Sequence, residues 1–316
     1  MKTPFPHFGA KHHVAADIWE RFGNPSYYYE PFGGSLGTLL GRPEATERQR
    51  YEYVGDAECQ ITNFFRAAKL ANPEDLARLA DWPASQLDLE ARKKWLKEQR
   101  LWLREGLRAD PTWYDLECAA WYVWGQSVKF GTHESFVSLR RTSGVRRLGQ
   151  DLTEYFTVLS KRLKDVTIYF GDWTNLATAA TKESQRSDVA IMLDPPYKYA
   201  TGRGQKLYVT DSGDIATYVH RWALARAMTH PKLKIALCGF AGEHRMHPDW
   251  EEVAWPSKLG KGRERIWFSP SCQQPAEPKT EAIQSRDTVL PQSVVIRSGD
   301  DGVPLGCRPV SVLARL

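Results

Sequence analysis

Five apolar residues in unbroken succession, Val189-Ala190-Ile191-Met192-Leu193, run directly into Asp194-Pro195-Pro196-Tyr197. A strand with one wet face alternates apolar and polar residues. An unbroken run needs cover on both faces, as in a parallel sheet sandwiched between helices. The prolines cannot continue a ladder, so the strand must stop there. Leu233–Gly239 reads the same way apart from Lys234 near its start, and shorter β-type runs lie at Tyr27–Glu30, Tyr51–Asp56, Val166–Phe170, Glu251–Trp255 and Arg265–Ser269. Helical spacing falls between them, over Ala57–Lys69, Gln150–Leu163 and Ile215–Met228. This alternation predicts an α/β fold with a doubly wound, mainly parallel sheet.

One segment interrupts the alternation, 71–149. It opens on Asn72-Pro73-Glu74, a helix-start signal, and holds a long helical pattern over Leu89–Leu107. Its basic residues group at Lys93, Lys94, Lys97, Arg100, Arg104 and Arg108, and again at Arg140, Arg141, Arg146 and Arg147. The reading is a catalytic domain built from 1–70 and 150–270, with a mostly helical domain inserted at 71–149. The tail, 271–316, is rich in Pro, Gln, Ser and Gly and has no periodicity, the pattern of a loosely ordered arm.

Composition excludes several classes. With 42% hydrophobic and 26% charged residues the chain has the makings of a packed core, which argues against disorder. The net charge of +5 permits a nucleic-acid partner without demanding one. Five cysteines, Cys59, Cys118, Cys238, Cys272 and Cys307, include no Cys-x-x-Cys pair, so neither a disulfide framework nor structural zinc is expected. Met1–Phe8 has no apolar run for a signal peptide, and no stretch reaches the ~18 apolar residues of a membrane span. The expectation is a reduced, cytoplasmic setting, with no metal and no membrane partner. His244-x-x-His247 lies in a loop beside Pro248 and is read as ordinary polar histidines, as is His12-His13.

The chemistry concentrates at strand ends. Asp194–Tyr197 follows a buried strand, at the edge where open α/β sheets place their ligands. Asp194 and the Pro195 carbonyl could each accept a hydrogen of an amine and turn its lone pair toward a methyl donor. Tyr197 offers a face for a base flipped out of its stack. The other reading is a plain Asp-Pro-Pro turn followed by a core tyrosine. Glu30-Pro31-Phe32-Gly33-Gly34-Ser35-Leu36-Gly37 follows a strand and precedes a helix-like Leu36–Leu40. It is either a nucleoside-cofactor pocket or a glycine turn that binds nothing, and its spacing is not the dinucleotide fingerprint. Asp56 ends the next strand, where an acidic residue commonly accepts from ribose hydroxyls, or else caps the following helix. Asp172-Trp173 could hold a cofactor's adenine amine and ring, or could be a helix cap and a core tryptophan. The basic clusters are either phosphate contacts or a solvated face.

In combination these motifs resemble the Dam-like adenine DNA methyltransferases of the alpha arrangement. That family has a lysine-bearing N-terminal segment, a Glu-Pro-Phe-x-Gly motif, an inserted recognition region, then Asp-Pro-Pro-Tyr. Here they correspond to Phe8-Gly9-Ala10-Lys11, Glu30–Gly37, Ala71–Gly149 and Asp194–Tyr197, and the likeness covers roughly Pro6 to Ser269. Ala10 departs from the glycine usual there, and no stretch of the insertion aligns with the family's GATC-reading hairpin. The resemblance implies a Rossmann-like methyltransferase fold with a seven-stranded sheet, and S-adenosylmethionine as cofactor. It places Phe8, Lys11, Glu30, Pro31, Phe32, Gly33, Gly34, Asp56, Asp172, Trp173 and Asp194 around that cofactor, and Asp194, Pro195, Pro196 and Tyr197 at the methylated 6-amino group. It further implies double-stranded DNA as partner, with a cognate restriction enzyme and a monomer or dimer both open. The alternatives are methylation of RNA or of the cytosine amine, or a catalytically silent DNA-binding relative.

Overall fold

The computed structural model describes residues 1–7, 9–44, 49–130, 133–138, 141, 143–147, 149–197, 214–255 and 264–272. The strands are β1 (Tyr27–Glu30), β2 (Tyr51–Asp56), β3 (Lys129–Phe130), β4 (His133–Val137), β5 (Val166–Phe170), β6 (Val189–Leu193), β7 (Leu233–Phe240), β8 (Glu251–Ala254) and β9 (Glu264–Phe268). The helices are α1 (Ala15–Phe22), α2 (Gly37–Leu40), α3 (Cys59–Leu70), α4 (Pro73–Ala80), α5 (Gln86–Glu98), α6 (Arg100–Ala109), α7 (Leu116–Val128), α8 (Leu152–Leu163), α9 (Trp173–Glu183) and α10 (Ile215–Thr229). Short 3-10 turns occupy Lys11–His13 and Gly144–Arg146.

Seven strands form one sheet in the order β5-β2-β1-β6-β7-β9-β8, and β3 and β4 pair as a separate antiparallel hairpin. The pairs from β5 through β7 are parallel, and β9 runs antiparallel to both neighbours. The fold is therefore α/β and compatible with a Rossmann-like architecture. The apolar run of β6 behaves as its pattern requires. Val189, Ile191 and Leu193 pack in one cluster with α9 and α10, while Ala190 and Met192 pack in the other with α1, α2, α3 and α8. All five residues are at most 1% exposed, so both faces are covered.

The 71–149 segment is mostly helical, as expected. Its buried Leu76, Leu103, Leu107 and Val123 belong to the same core as Phe64 and Phe65 of α3 and Phe156 of α8, within one compact unit spanning Met1–Pro275. Asn72 caps α4 by accepting from the Glu74 N–H at 3.0 Å, with Pro73 in the first turn. The single helix expected over Leu89–Leu107 is instead two, α5 and α6, broken at Gln99. The cause is a neighbour. The Gln60 amide donates to the Leu96 carbonyl at 3.0 Å, and the Cys59 thiol donates to the Arg100 carbonyl at 3.8 Å. Side chains of α3 thus occupy carbonyls that an unbroken ladder would use.

Helix α3 begins two residues later than its sequence pattern suggests, because Glu58, not Asp56, supplies the cap by accepting from the Gln60 N–H. The described cysteines, Cys59, Cys118, Cys238 and Cys272, are buried free thiols. No helix among the described residues is long and apolar enough to cross a membrane. The expected tail, 271–316, lies outside the described residues apart from Ser271 and Cys272.

Candidate active site

Strand order reverses between β1 and β6, which places a crevice beyond their carboxyl ends. Four acidic positions follow one another along that edge: Asp172 after β5, Asp56 closing β2, Glu30 closing β1 and Asp194 after β6. Two glycines shape the crevice floor. Gly34 has φ +50°, and a Cβ there would lie 2.7 Å from the His7 ring. A Cβ on Gly37 would lie 2.8 Å from the His12 backbone nitrogen, so only glycine lets the N-terminal segment settle against this turn. That seating delivers Lys11 to the site.

Lys11 is 3% exposed. Its ammonium donates to the Gly9 carbonyl at 2.6 Å, to Asp194 Oδ2 at 2.6 Å and to the Tyr197 hydroxyl at 3.0 Å. Burial alone would lower its pKa; the Asp194 charge and hydrogen bond, together with Cys238 and Glu264, outweigh it and raise it. The Tyr197 hydroxyl donates in turn to Asp194 Oδ1 at 3.1 Å, and the Tyr197 ring meets Phe240 edge-on at 4.7 Å. Lys11, Asp194 and Tyr197 are therefore one hydrogen-bonded constellation, with Pro195 buried and Pro196 half-buried between the last two.

On the β1–β2 side the groups are held by backbone. Asp56 Oδ2 accepts from the Gly34 N–H at 3.0 Å and Oδ1 from the Glu58 N–H at 2.8 Å. Burial nevertheless pushes its carboxyl up to about 6. Glu30 Oε2 accepts from the Tyr28 hydroxyl at 2.9 Å and the Leu39 N–H at 3.2 Å, which ties β1 to α2. Burial pushes its pKa to about 8, so it is a neutral acid at pH 7. Burial also holds the His7 imidazole down at about 4, so that ring is neutral. The Ser35 and Thr38 hydroxyls, 2% and 1% exposed, have no hydrogen-bond partner among the described residues. Pro31 and Gly33 are buried beside them.

Asp172 caps α9, its Oδ1 accepting from the Thr174 N–H at 2.9 Å and from the Thr174 hydroxyl. The expected cap is thus present, on an exposed carboxylate. Trp173 stacks on Phe32 with ring centroids 5.9 Å apart, forming an aromatic wall next to Asp172. Phe8 lies outside the described residues.

The basic positions divide by environment. Lys94, Lys97 and Arg141 are exposed, with Arg141 4.0 Å from Asp81, and Lys93 is half-buried. Arg146 donates to the Ser138 carbonyl at 3.1 Å and Arg147 to that of Thr3 at 3.3 Å. Arg100 faces inward, forming a 2.6 Å ion pair with Glu58. Its cluster therefore reaches solvent mainly through Lys94, Lys97 and Arg108. Arg140 lies outside the described residues. The histidines suggested by their spacing are separately engaged: His244 stacks on His220 at 4.8 Å, and His247 sits 3.2 Å from Asp249.

Residues without a sequence signal complete the edge. Phe240 ends β7, Glu264 opens β9 and Trp255 follows β8. The Lys11 ammonium lies 5.2 Å from the Trp255 ring centroid. Neither a protein-family model nor a curated protein sequence matches this chain.

Proposed function

We propose that the chain is an S-adenosylmethionine-dependent methyltransferase acting on the 6-amino group of adenine in DNA. The observation that carries this reading is the Lys11–Asp194–Tyr197 constellation across the sheet's switch point from the Asp56–Gly34 pocket. One side offers the half-buried Asp194 carboxylate beside the Pro195 carbonyl. The other offers a carboxylate with unpartnered hydroxyls.

The pocket's chemistry suits the cofactor. Asp56 would accept from ribose hydroxyls, Ser35 and Thr38 would meet polar atoms of the amino-acid end, and Phe32, Asp172 and Trp173 would border the adenine. When bound, S-adenosylmethionine supplies an electrophilic methyl group on a sulfonium.

The chain's own residues then act on the acceptor. Asp194 and the Pro195 carbonyl each take one amine hydrogen, which turns the nitrogen lone pair away from ring conjugation. The nitrogen loses one of its two hydrogens when it is methylated, and that proton would pass to Asp194 or to water. Each Asp194 oxygen already accepts one hydrogen bond, from Lys11 or Tyr197, and keeps a second lone pair that the amine can use or gain by displacing one of those donors. The base must leave its stack to reach this loop. Exposed Lys94, Lys97 and Arg141 supply the phosphate-contacting charge.

Incubation with methyl-labelled cofactor and, separately, duplex DNA, RNA or protein tests the proposal. Label in N6-methyladenine of DNA is the expected result. Label in cytosine, RNA or protein alone reassigns the acceptor, and no transfer with any of them ends the reading.

A further inference from the structure

We infer that Trp255 determines acceptor specificity: its indole N–H donates to the unprotonated ring nitrogen beside the exocyclic amine of the acceptor base. This rests on the methyl-transfer reading above and extends it to a residue no motif marks.

Topology brings Trp255 to the site. Strand β9 is antiparallel to β7, and β8 is antiparallel to β9, so β8 runs parallel to β7 and ends at the same sheet edge. Trp255 follows β8 there, and its backbone N–H donates to the Glu264 carbonyl at 3.4 Å. Its ring is fixed against the constellation, with the Lys11 ammonium 5.2 Å from the centroid, itself bonded to Asp194 at 2.6 Å. The side chain is 5% exposed, and its Nε1 has no hydrogen-bond partner among the described residues. An indole N–H is a donor only, and a buried donor left unmade costs free energy that a ligand acceptor recovers.

The acceptor class follows from that chemistry. Adenine carries an unprotonated N1 beside its 6-amino group, and cytosine an unprotonated N3 beside its 4-amino group. On its Watson–Crick edge guanine instead carries N1–H beside its 2-amino group, which would set donor against donor there; only its N3, next to the glycosidic nitrogen, is unprotonated. An N–H facing the Watson–Crick edge therefore suits adenine and cytosine, leaving Asp194 and Pro195 to handle the amine.

The test pairs a protein change with a base change. Methylated positions are first located by sequencing DNA exposed to the enzyme. Duplexes then carry adenine or 1-deazaadenine at that position, and single-turnover rates are measured for the parent and Trp255→Phe, which keeps a ring facing Lys11. The parent should lose about 10- to 100-fold on 1-deazaadenine. Trp255→Phe should lose a similar factor on adenine and little more on 1-deazaadenine, while cofactor affinity stays within about twofold of the parent. Should Trp255→Phe fail to fold, a benzothienylalanine at 255, which replaces the N–H by sulfur at nearly the same shape, reads the same cycle. Equal discrimination against 1-deazaadenine with and without the indole N–H overturns the assignment of Trp255 alone. A parent that methylates no nucleic acid overturns the underlying reading together with it.

Discussion

The two carboxylates on either side of the switch point are held in opposite ways. Asp56 is gripped by backbone, through the N–H groups of Gly34 and Glu58. Asp194 is gripped by side chains, the Lys11 ammonium and the Tyr197 hydroxyl. Backbone donors are fixed by the fold and cannot leave, so Asp56 is preorganised to receive one ligand geometry. Side-chain donors swing away by rotamer changes, so Asp194 can trade a partner for an incoming amine. The difference matches a pocket that binds the same cofactor each turnover against a site that must admit and release a base.

The largest effect should come from the exchangeable side. Asp194→Ala should lower single-turnover methylation by roughly 100-fold or more, the loss typical of removing one electrostatic stabiliser, while cofactor binding persists. Equal activity would break the comparison. Next comes the fixed side: Asp56→Ala should weaken S-adenosylmethionine binding by roughly 1–3 kcal/mol, read by calorimetry, with the methylation rate at saturating cofactor little changed. Asp56 also predicts a pH dependence. Its carboxyl titrates at about 6, so cofactor affinity should rise as pH rises through 6, and Asp56→Asn should flatten that rise. The stability effect has the opposite sign. The native state keeps a proton that the unfolded chain gives up near pH 4, so this group costs stability as pH climbs from about 4 to 6.

Tyr197→Phe removes one grip on Asp194, leaves that of Lys11 and keeps the ring against Phe240. It should slow methylation only several-fold, in line with about 1 kcal/mol for one hydrogen bond. The smallest effect concerns DNA. Neutralising Lys94, Lys97 or Arg141 should each reduce the slope of log affinity against log salt by about 0.9. Arg100→Gln should leave that slope unchanged and lower thermal stability instead, because Arg100 is spent on Glu58.

Much of this was legible in the sequence. The strand runs fall within a residue or two of the observed strands, since an apolar run bounded by Gly, Asp and Pro has few other solutions. The motif residues at the ends of β1, β2, β5 and β6 reach one edge because parallel strands must all end there. What escaped depends on contacts between distant positions. Lys11 and Asp194 lie 183 residues apart, and nothing local predicts their bond. Trp255 and Glu264 reach the site only through the antiparallel return of β9, whose pairing no motif announces. The break at Gln99 was invisible because Gln60, on another helix, causes it. The inward turn of Arg100 has the same origin, for its partner Glu58 caps that helix.

The buried thiols have a practical consequence. Cys59 lies beside Glu58 on the side that holds Asp56, and Cys238 lies in β7 near Lys11 and Asp194. Burial raises the pKa of both, so neither reacts as thiolate in the closed molecule. A sulfhydryl reagent therefore modifies each only when its surroundings open. The two alkylation rates, resolved by mass spectrometry, become separate clocks for local opening in the two halves of the crevice. Adding the cofactor should slow the Cys59 clock more than the Cys238 clock.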